Sequence, residues 1–198
     1  MKNNTLFYKK AIQKYGVSPA GVCWNSKYTQ YKRFDTITKL IKKDIQSSSL
    51  VDAGCGFGEY ISYLQKAKKM PMEYIGLDCE PDMIDISSKR YPQYDFFVKD
   101  ILKDELFFVD YYICSGALNL LNLEQIDIFI KNCFFYSKKA FVFNYLKNIT
   151  FKDISKEQII DITKKYTDDI VIKENYLSND FTIMMRKGEA YGNTTNKF

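Results

Sequence analysis

Apolar positions along the chain fall into short runs and into stripes at helical spacing, and the two kinds alternate. Residues 31–45 carry Phe34, Ile37, Leu40 and Ile41 at intervals of three, three and one, which predicts a helix. Residues 49–53 form a short apolar run that stops at Gly54, the pattern of a buried strand. Residues 58–69 follow as a helix with Ile61, Leu64 and Ala67 on one face. The alternation repeats: a strand at 74–77, then a helix opened by Pro81 and running to residue 89. Further strands are predicted at 96–98, 111–114 and 140–143. Asn122 with Gln125, and Ser155 with Gln158, have the spacing of capping boxes, so helices should start there. Residues 170–172 and 181–185 have no helix between them, and Ser178-Asn179-Asp180 reads as a turn, so these two strands should form a hairpin.

Strands alternating with helices imply an α/β fold: a mostly parallel sheet with helices on both faces, closed by an antiparallel hairpin. Ligands of such sheets sit outside the carboxyl ends of the strands, where the strand order switches. The loops after the first four strands are therefore where chemistry is expected. Three segments are expected: a lead-in at 1–34, the main domain at 35–187, and a polar tail at 188–198.

Composition narrows the function classes. The chain has 198 residues, 46% of them hydrophobic and 27% charged, which fits one ordinary globular domain. Its net charge of +5 rests on 26 lysines against three arginines, Arg33, Arg90 and Arg186. Arginine is the usual residue for forked contacts to phosphates and bases, so a nucleic-acid partner is disfavoured. No run of 18 apolar residues exists, so no membrane span is expected. Five scattered cysteines without a CxxC pair read as reduced thiols of a cytoplasmic protein. There is no histidine, which removes the commonest metal ligand and the commonest general base; no metal site is expected.

The loop after the first strand reads Val51-Asp52-Ala53-Gly54-Cys55-Gly56-Phe57-Gly58-Glu59. A dinucleotide fingerprint requires Gly-x-Gly-x-x-Gly, and the sixth position here is Glu59, unwelcome beside a pyrophosphate. The loop suits an uncharged or zwitterionic ligand, and Asp52 can hold an ammonium group. Asp78, at the end of the second strand, can accept hydrogen bonds from both hydroxyls of a ribose, or can cap the next helix. Asp100, after the third strand, can accept from an exocyclic amine such as that of adenine.

Val51-Asp52-Ala53-Gly54-Cys55-Gly56-Phe57-Gly58, then Gly76-Leu77-Asp78 with Met83, then Lys99-Asp100-Ile101, resembles the class I S-adenosylmethionine-dependent methyltransferases over residues 35–186. The resemblance implies a seven-stranded Rossmann-like sheet and S-adenosylmethionine as cofactor, with S-adenosylhomocysteine as product. It implies that Asp52, Gly54, Gly56 and Gly58 surround the methionine part, that Asp78 takes the ribose, and that Asp100 and Ile101 frame the adenine. Trp24, Arg33, Cys79, Met83 and Ser115 complete the implied cofactor set. The fourth loop, residues 115–122, would border both the sulfonium and the substrate, with Ser115 and Asn119 in reach of the acceptor. The Asp-Pro-Pro-Tyr type of sequence found in amino-group methylases of DNA is missing.

The lead-in holds Trp24, Tyr28, Gln30, Tyr31 and Arg33. It is expected to form a lid in which Trp24 shields the pocket, Arg33 pairs with a substrate carboxylate and Tyr28 helps position the acceptor. Trp24 as a core residue is the alternative. Methyl transfer from a sulfonium is an in-line displacement in which the enzyme mainly aligns the reacting atoms. Without histidine, Glu59, Tyr28, Tyr60, Tyr145 or a metal could substitute as base, but none is marked out; an acceptor that is already anionic is expected, and oxygen is the expected target. Trp24, Gln30, Arg33, Phe34, Ser115-Gly116 and Phe143-Asn144-Tyr145-Leu146 resemble small stand-alone bacterial methyltransferases, some of which modify cell-surface (capsule) polysaccharide precursors, including phosphoramidate groups on nucleotide carriers. The expected acceptor is a small molecule, and the expected state a monomer or homodimer. An RNA methyltransferase and a catalytically inactive partner subunit are the open alternatives; a dehydrogenase is disfavoured by the glycine spacing.

Overall fold

The computed structural model describes residues 26–147 and 154–188. Helix α1 spans Lys27–Leu40 and is capped by Ser26, whose Oγ accepts from the Thr29 N–H at 3.2 Å. The helix expected at 31–45 therefore starts four residues earlier. It also stops earlier, with a short 3-10 turn at Ile45–Ser47 beyond it. α1 runs straight across the boundary expected at residue 34, so the described part of the lead-in belongs to the main domain. Trp24 and the rest of residues 1–25 lie outside the described residues, as does most of the expected tail.

The rest follows the predicted alternation. Strand β1 is Ser49–Ala53, α2 is Glu59–Ala67, β2 is Glu73–Asp78, and α3 is Pro81–Arg90 with proline in its first turn. β3 is Asp95–Val98 and β4 is Val109–Ser115. α4, Leu123–Tyr136, and α5, Lys156–Lys164, both open with complete capping boxes, on Asn122 with Gln125 and on Ser155 with Gln158. β5 is Ser137–Leu146, longer than expected at both ends. β6, Ile170–Glu174, and β7, Asp180–Arg186, form the hairpin.

The sheet order is β3-β2-β1-β4-β5-β7-β6. β1 pairs in parallel with both β2 and β4, so the order reverses between β1 and β4. β7 runs antiparallel between β5 and β6. Side chains of a strand alternate between the two faces, and the core divides accordingly. Leu50, Tyr74, Tyr111, Ile113, Val142 and Met184 pack with α1 and α2 on one face. Val51, Ile75, Tyr112, Phe141, Ile183 and Met185 pack with α4 and α5 on the other.

The α1 face changes character at its carboxyl end. Ile113, Val142 and Met184 make an apolar row across β4, β5 and β7. One pleat further on, Ser115, Asn144 and Thr182 are in register and make a polar row. α1 covers this end of the sheet with Arg33, whose Nε and Nη2 both donate to the carboxylate of Asp180, the second at 3.0 Å. Both side chains are almost fully buried, at 8% and 3% exposure.

Breaking a buried ion pair leaves a bare charge and costs about 3–5 kcal/mol, whereas replacing both partners with apolar groups is often near neutral. Arg33→Met should therefore lower unfolding stability by that amount in urea titration. Arg33→Met with Asp180→Leu should recover most of it. Equal losses in the single and double variants would show that the pair does not hold α1 down.

Candidate functional site

The switch in strand order opens a cavity of about 820 Å³ at the carboxyl ends of the strands, roofed by α1. Single ligand pockets run to roughly 300–1,000 Å³, so this space holds a cofactor-sized molecule together with a small acceptor. It has a carboxylate-rich half over β1–β3 and an amide- and hydroxyl-lined half over β4, β5 and β7.

The first half is built by the glycine loop. Gly54, Gly56 and Gly58 all have positive φ, at 79°, 52° and 72°. Gly54 matters twice, because a Cβ there would lie 2.5 Å from the Cβ of Ala117 in the fourth loop. The two loops touch only because Gly54 has no side chain. Gly58 is the N-cap of α2 and does not line the cavity, so its expected contact with a ligand is replaced by a turn-forming role. A Cβ on Gly58 would lie 3.1 Å from the ring of Tyr91.

Asp78 uses one oxygen to accept from the Gly56 N–H at 2.9 Å and the other to accept from the Glu80 N–H at 3.0 Å. It thus ties the glycine loop to the start of α3 and lines the cavity. Asp52 accepts from the Tyr74 hydroxyl at 2.7 Å. Burial pushes the Asp52 carboxyl up to about 7, against the bond from Tyr74 and with help from the charge of Asp78. Burial likewise pushes Asp78 up to about 6, against the bonds from Glu80 and Gly56. Asp100 lines the cavity too; its Oδ1 accepts from the Leu102 N–H at 3.0 Å and its Oδ2 pairs with Lys103 at 3.2 Å. Met83 and Ile101 supply buried apolar wall. Cys79 lines this half, and burial followed by the Asp78 charge pushes its thiol up to about 12, so it stays a protonated wall residue.

Glu59 is compensated rather than bare. Tyr31 donates to it at 3.1 Å, Arg90 at 3.2 Å, and Lys27 lies 3.6 Å away. These contacts join α1, α2 and the end of α3 at the rim.

In the second half, Ser115 lines the cavity, and its Oγ is buried with no hydrogen-bond partner. Asn119 also lines it and accepts from the Leu146 N–H at 3.2 Å. Arg33 lines it as well, but its charge already faces Asp180, so the expected pairing with a substrate carboxylate is superseded by an internal one. Tyr28 is corrected: it points to solvent from α1, 69% exposed, and does not line the cavity. Sequence reasoning missed Asp180 and Asn144. Each is a polar residue bordering an apolar stretch, Asn144 after Ala140-Phe141-Val142-Phe143 and Asp180 before Phe181, and that was the available signal. Among the described residues no group of His, Cys, Asp and Glu side chains could hold a metal ion, and no helix is long and apolar enough to cross a membrane.

The chain matches the family described as "Methyltransferase domain" over residues 50–140. It is 27% identical over 160 residues to a Mycobacterium tuberculosis protein that carries the name of a methyltransferase, covering 70% of this chain and 93% of that one. The fold is similar to that of magnesium protoporphyrin IX methyltransferase from Synechocystis PCC 6803 with SAH bound. The TM-score is 0.71 at 12% identity, over 93% of this chain and 95% of that one. A TehB-like SAM-dependent methyltransferase from Corynebacterium glutamicum superposes with a TM-score of 0.67 at 14% identity, over 94% of this chain and 100% of that one. The residues of the cavity fit such a cofactor: buried carboxylates for a cationic, hydroxyl-bearing molecule, and apolar walls at Met83 and Ile101 for a flat ring. With the glycine loop at the strand switch, the three acids behind it and this match, the chain carries a methyltransferase domain at residues 50–140 and has the fold of S-adenosylmethionine-dependent methyltransferases.

Proposed function

We propose that the protein methylates a small acceptor whose attacking oxygen is already ionised at neutral pH. The observation that carries this is the chemistry of the second half of the cavity. Its one carboxylate among the described residues, Asp180, is held by Arg33 and lies 3.5 Å from the Asn144 amide nitrogen. Apart from Lys27, which lies beside Glu59 at the rim, the other polar side chains from the strand ends and α1 are amides and hydroxyls, such as Gln30, Ser115 and Asn119. They can orient an acceptor and hydrogen-bond an anionic oxygen, but none is a base at pH 7. A neutral alcohol would need a proton removed; a carboxylate or phosphate-type oxygen would not.

S-adenosylmethionine supplies an electrophilic methyl group on a sulfonium. Asp78 would take the ribose hydroxyls, Asp52 the ammonium end, and Met83, Ile101 and Asp100 the adenine. The fourth loop, set by the contact between Gly54 and Ala117, would hold the acceptor side. What the chain contributes is alignment of the reacting atoms and exclusion of water. A cell-surface precursor carrying a phosphoramidate is one acceptor that satisfies this description.

The acceptor reading is tested by the pH dependence of turnover with both acceptor and cofactor saturating. The rate should stay within about twofold from pH 6.5 to 9. A tenfold rise per pH unit across that range would show that a proton must be removed and would overturn it.

The cofactor half yields a second expectation. Burial raises both carboxyls, so the ligand-free fold holds protons that the unfolded chain has lost between the ordinary carboxylate range and about 7. These groups therefore make the ligand-free protein less stable as pH rises through that window. A cationic ligand reverses the preference, since it favours the ionised form of both. S-adenosylmethionine should bind at least tenfold more tightly at pH 7.5 than at pH 5, with protons released in calorimetry. Asp78→Asn should weaken binding and flatten the profile. Affinity independent of pH in the unsubstituted protein would count against Asp52 and Asp78 as ligand groups.

A further inference from the structure

Beneath α1, at the carboxyl ends of β5 and β7, lies a buried polar cluster with more hydrogen-bonding capacity than its members use. Gln30 stands one turn before Arg33 on α1, is 3% exposed, and lines the cavity. Its Oε1 is buried without a partner. No hydrogen bond from its side chain to another described residue is present. Ser115 Oγ, on the same sheet face, is also buried without a partner, and so is Oδ1 of Asn144, its register neighbour on β5.

A buried polar atom left unmatched forfeits its hydration without replacement, and most native structures leave few of them. Three on one sheet end and the helix over it, two of them on cavity-lining residues, is a local concentration. On the core face covered by α1 and α2, Tyr60 and Thr38 bond each other at 2.8 Å and Tyr74 donates to Asp52, while the Tyr145 hydroxyl on the opposite face is one further buried oxygen without a partner. The three atoms of Gln30, Ser115 and Asn144 are oxygens, able to accept. The Gln30 amide nitrogen is a donor on the same side chain. Together they complement a group that offers an N–H beside an acceptor oxygen, as a primary amide does.

We infer that Gln30, with Ser115, is a specificity-determining site that reads an amide-type group (an N–H adjacent to a P=O or C=O oxygen) on the methyl acceptor. This rests on the methyl-transfer reading and adds the part of the acceptor that does not react. An ester or carboxylate of the same shape lacks the N–H and leaves Gln30 Oε1 unmatched, so it should be rejected.

Two measurements test this. The first needs no ligand. Gln30→Met removes the unmatched amide at nearly constant volume, so the ligand-free protein should melt about 2–4 °C higher. A lower melting temperature would mean that Gln30 serves the fold, and would overturn the inference. The second uses the full chain loaded with S-adenosylhomocysteine and compares two probes by calorimetry. These are succinamate and monomethyl succinate, equal in charge and differing in the N–H. Succinamate should bind about tenfold more tightly, and the ratio should fall to about one in Gln30→Met while S-adenosylhomocysteine binding is unchanged. Equal binding of the probes, or none, would overturn it. Failure of the unsubstituted protein to bind S-adenosylhomocysteine would instead strike the methyltransferase reading and leave the melting comparison to decide the role of Gln30.

Discussion

The buried pair between Arg33 and Asp180 is the contact on which the cavity depends. It joins a helix near the start of the described chain to a strand 147 residues later, over an end of the sheet that is polar. Apolar packing alone would not fix α1 there, because the row Ser115-Asn144-Thr182 offers no hydrophobic surface to grip. Charge complementarity replaces it at that end, while Phe34 and Ile37 anchor the helix to the apolar rows further down. The roof of the cavity is thus held by two kinds of force, one at each end of the same helix.

A second constraint sits at the switch between β1 and β4. The backbone at Gly54 comes so close to Ala117 that no side chain fits between them. The loop that turns at the cofactor side and the loop that carries Ser115 and Asn119 are one packed unit. This explains why a single cavity, rather than two neighbouring ones, spans the carboxyl ends of the strands.

Much of this was readable from local sequence. The buried strands, the two capping boxes and the closing hairpin follow from spacing and turn chemistry, because the interactions that set them lie within a few residues. The start of α1 was missed because Ser26 as a cap is an ordinary serine until its hydrogen bond to Thr29 is known. Arg33 was identified as a site residue but given the wrong partner. Asp180 was read as part of a turn, and nothing near it in sequence says that it faces an arginine. Tyr28 was placed at the site by its company in the lead-in, whereas helical geometry turns it outward, away from Gln30 two positions on. The three acids at the strand ends were legible as a set; the raised carboxyls of Asp52 and Asp78 were not, since burial is a property of the assembled sheet.

The position of β7 carries a consequence for how the protein comes into being. It is made after both of its neighbours, β5 and β6, yet lies between them. Until it emerges, β5 presents an unpaired and strongly apolar edge, the kind of surface that invites intermolecular pairing. β7 also carries Asp180, so the roof helix has no charge partner until then. A growing chain can assemble the glycine loop and the first strands early, but its cavity stays open on one side until that strand slides into its slot. In order of synthesis the strands of the ligand-binding half precede the strand that closes the acceptor half, and the interval between them is when a nascent chain exposes the apolar edge of β5.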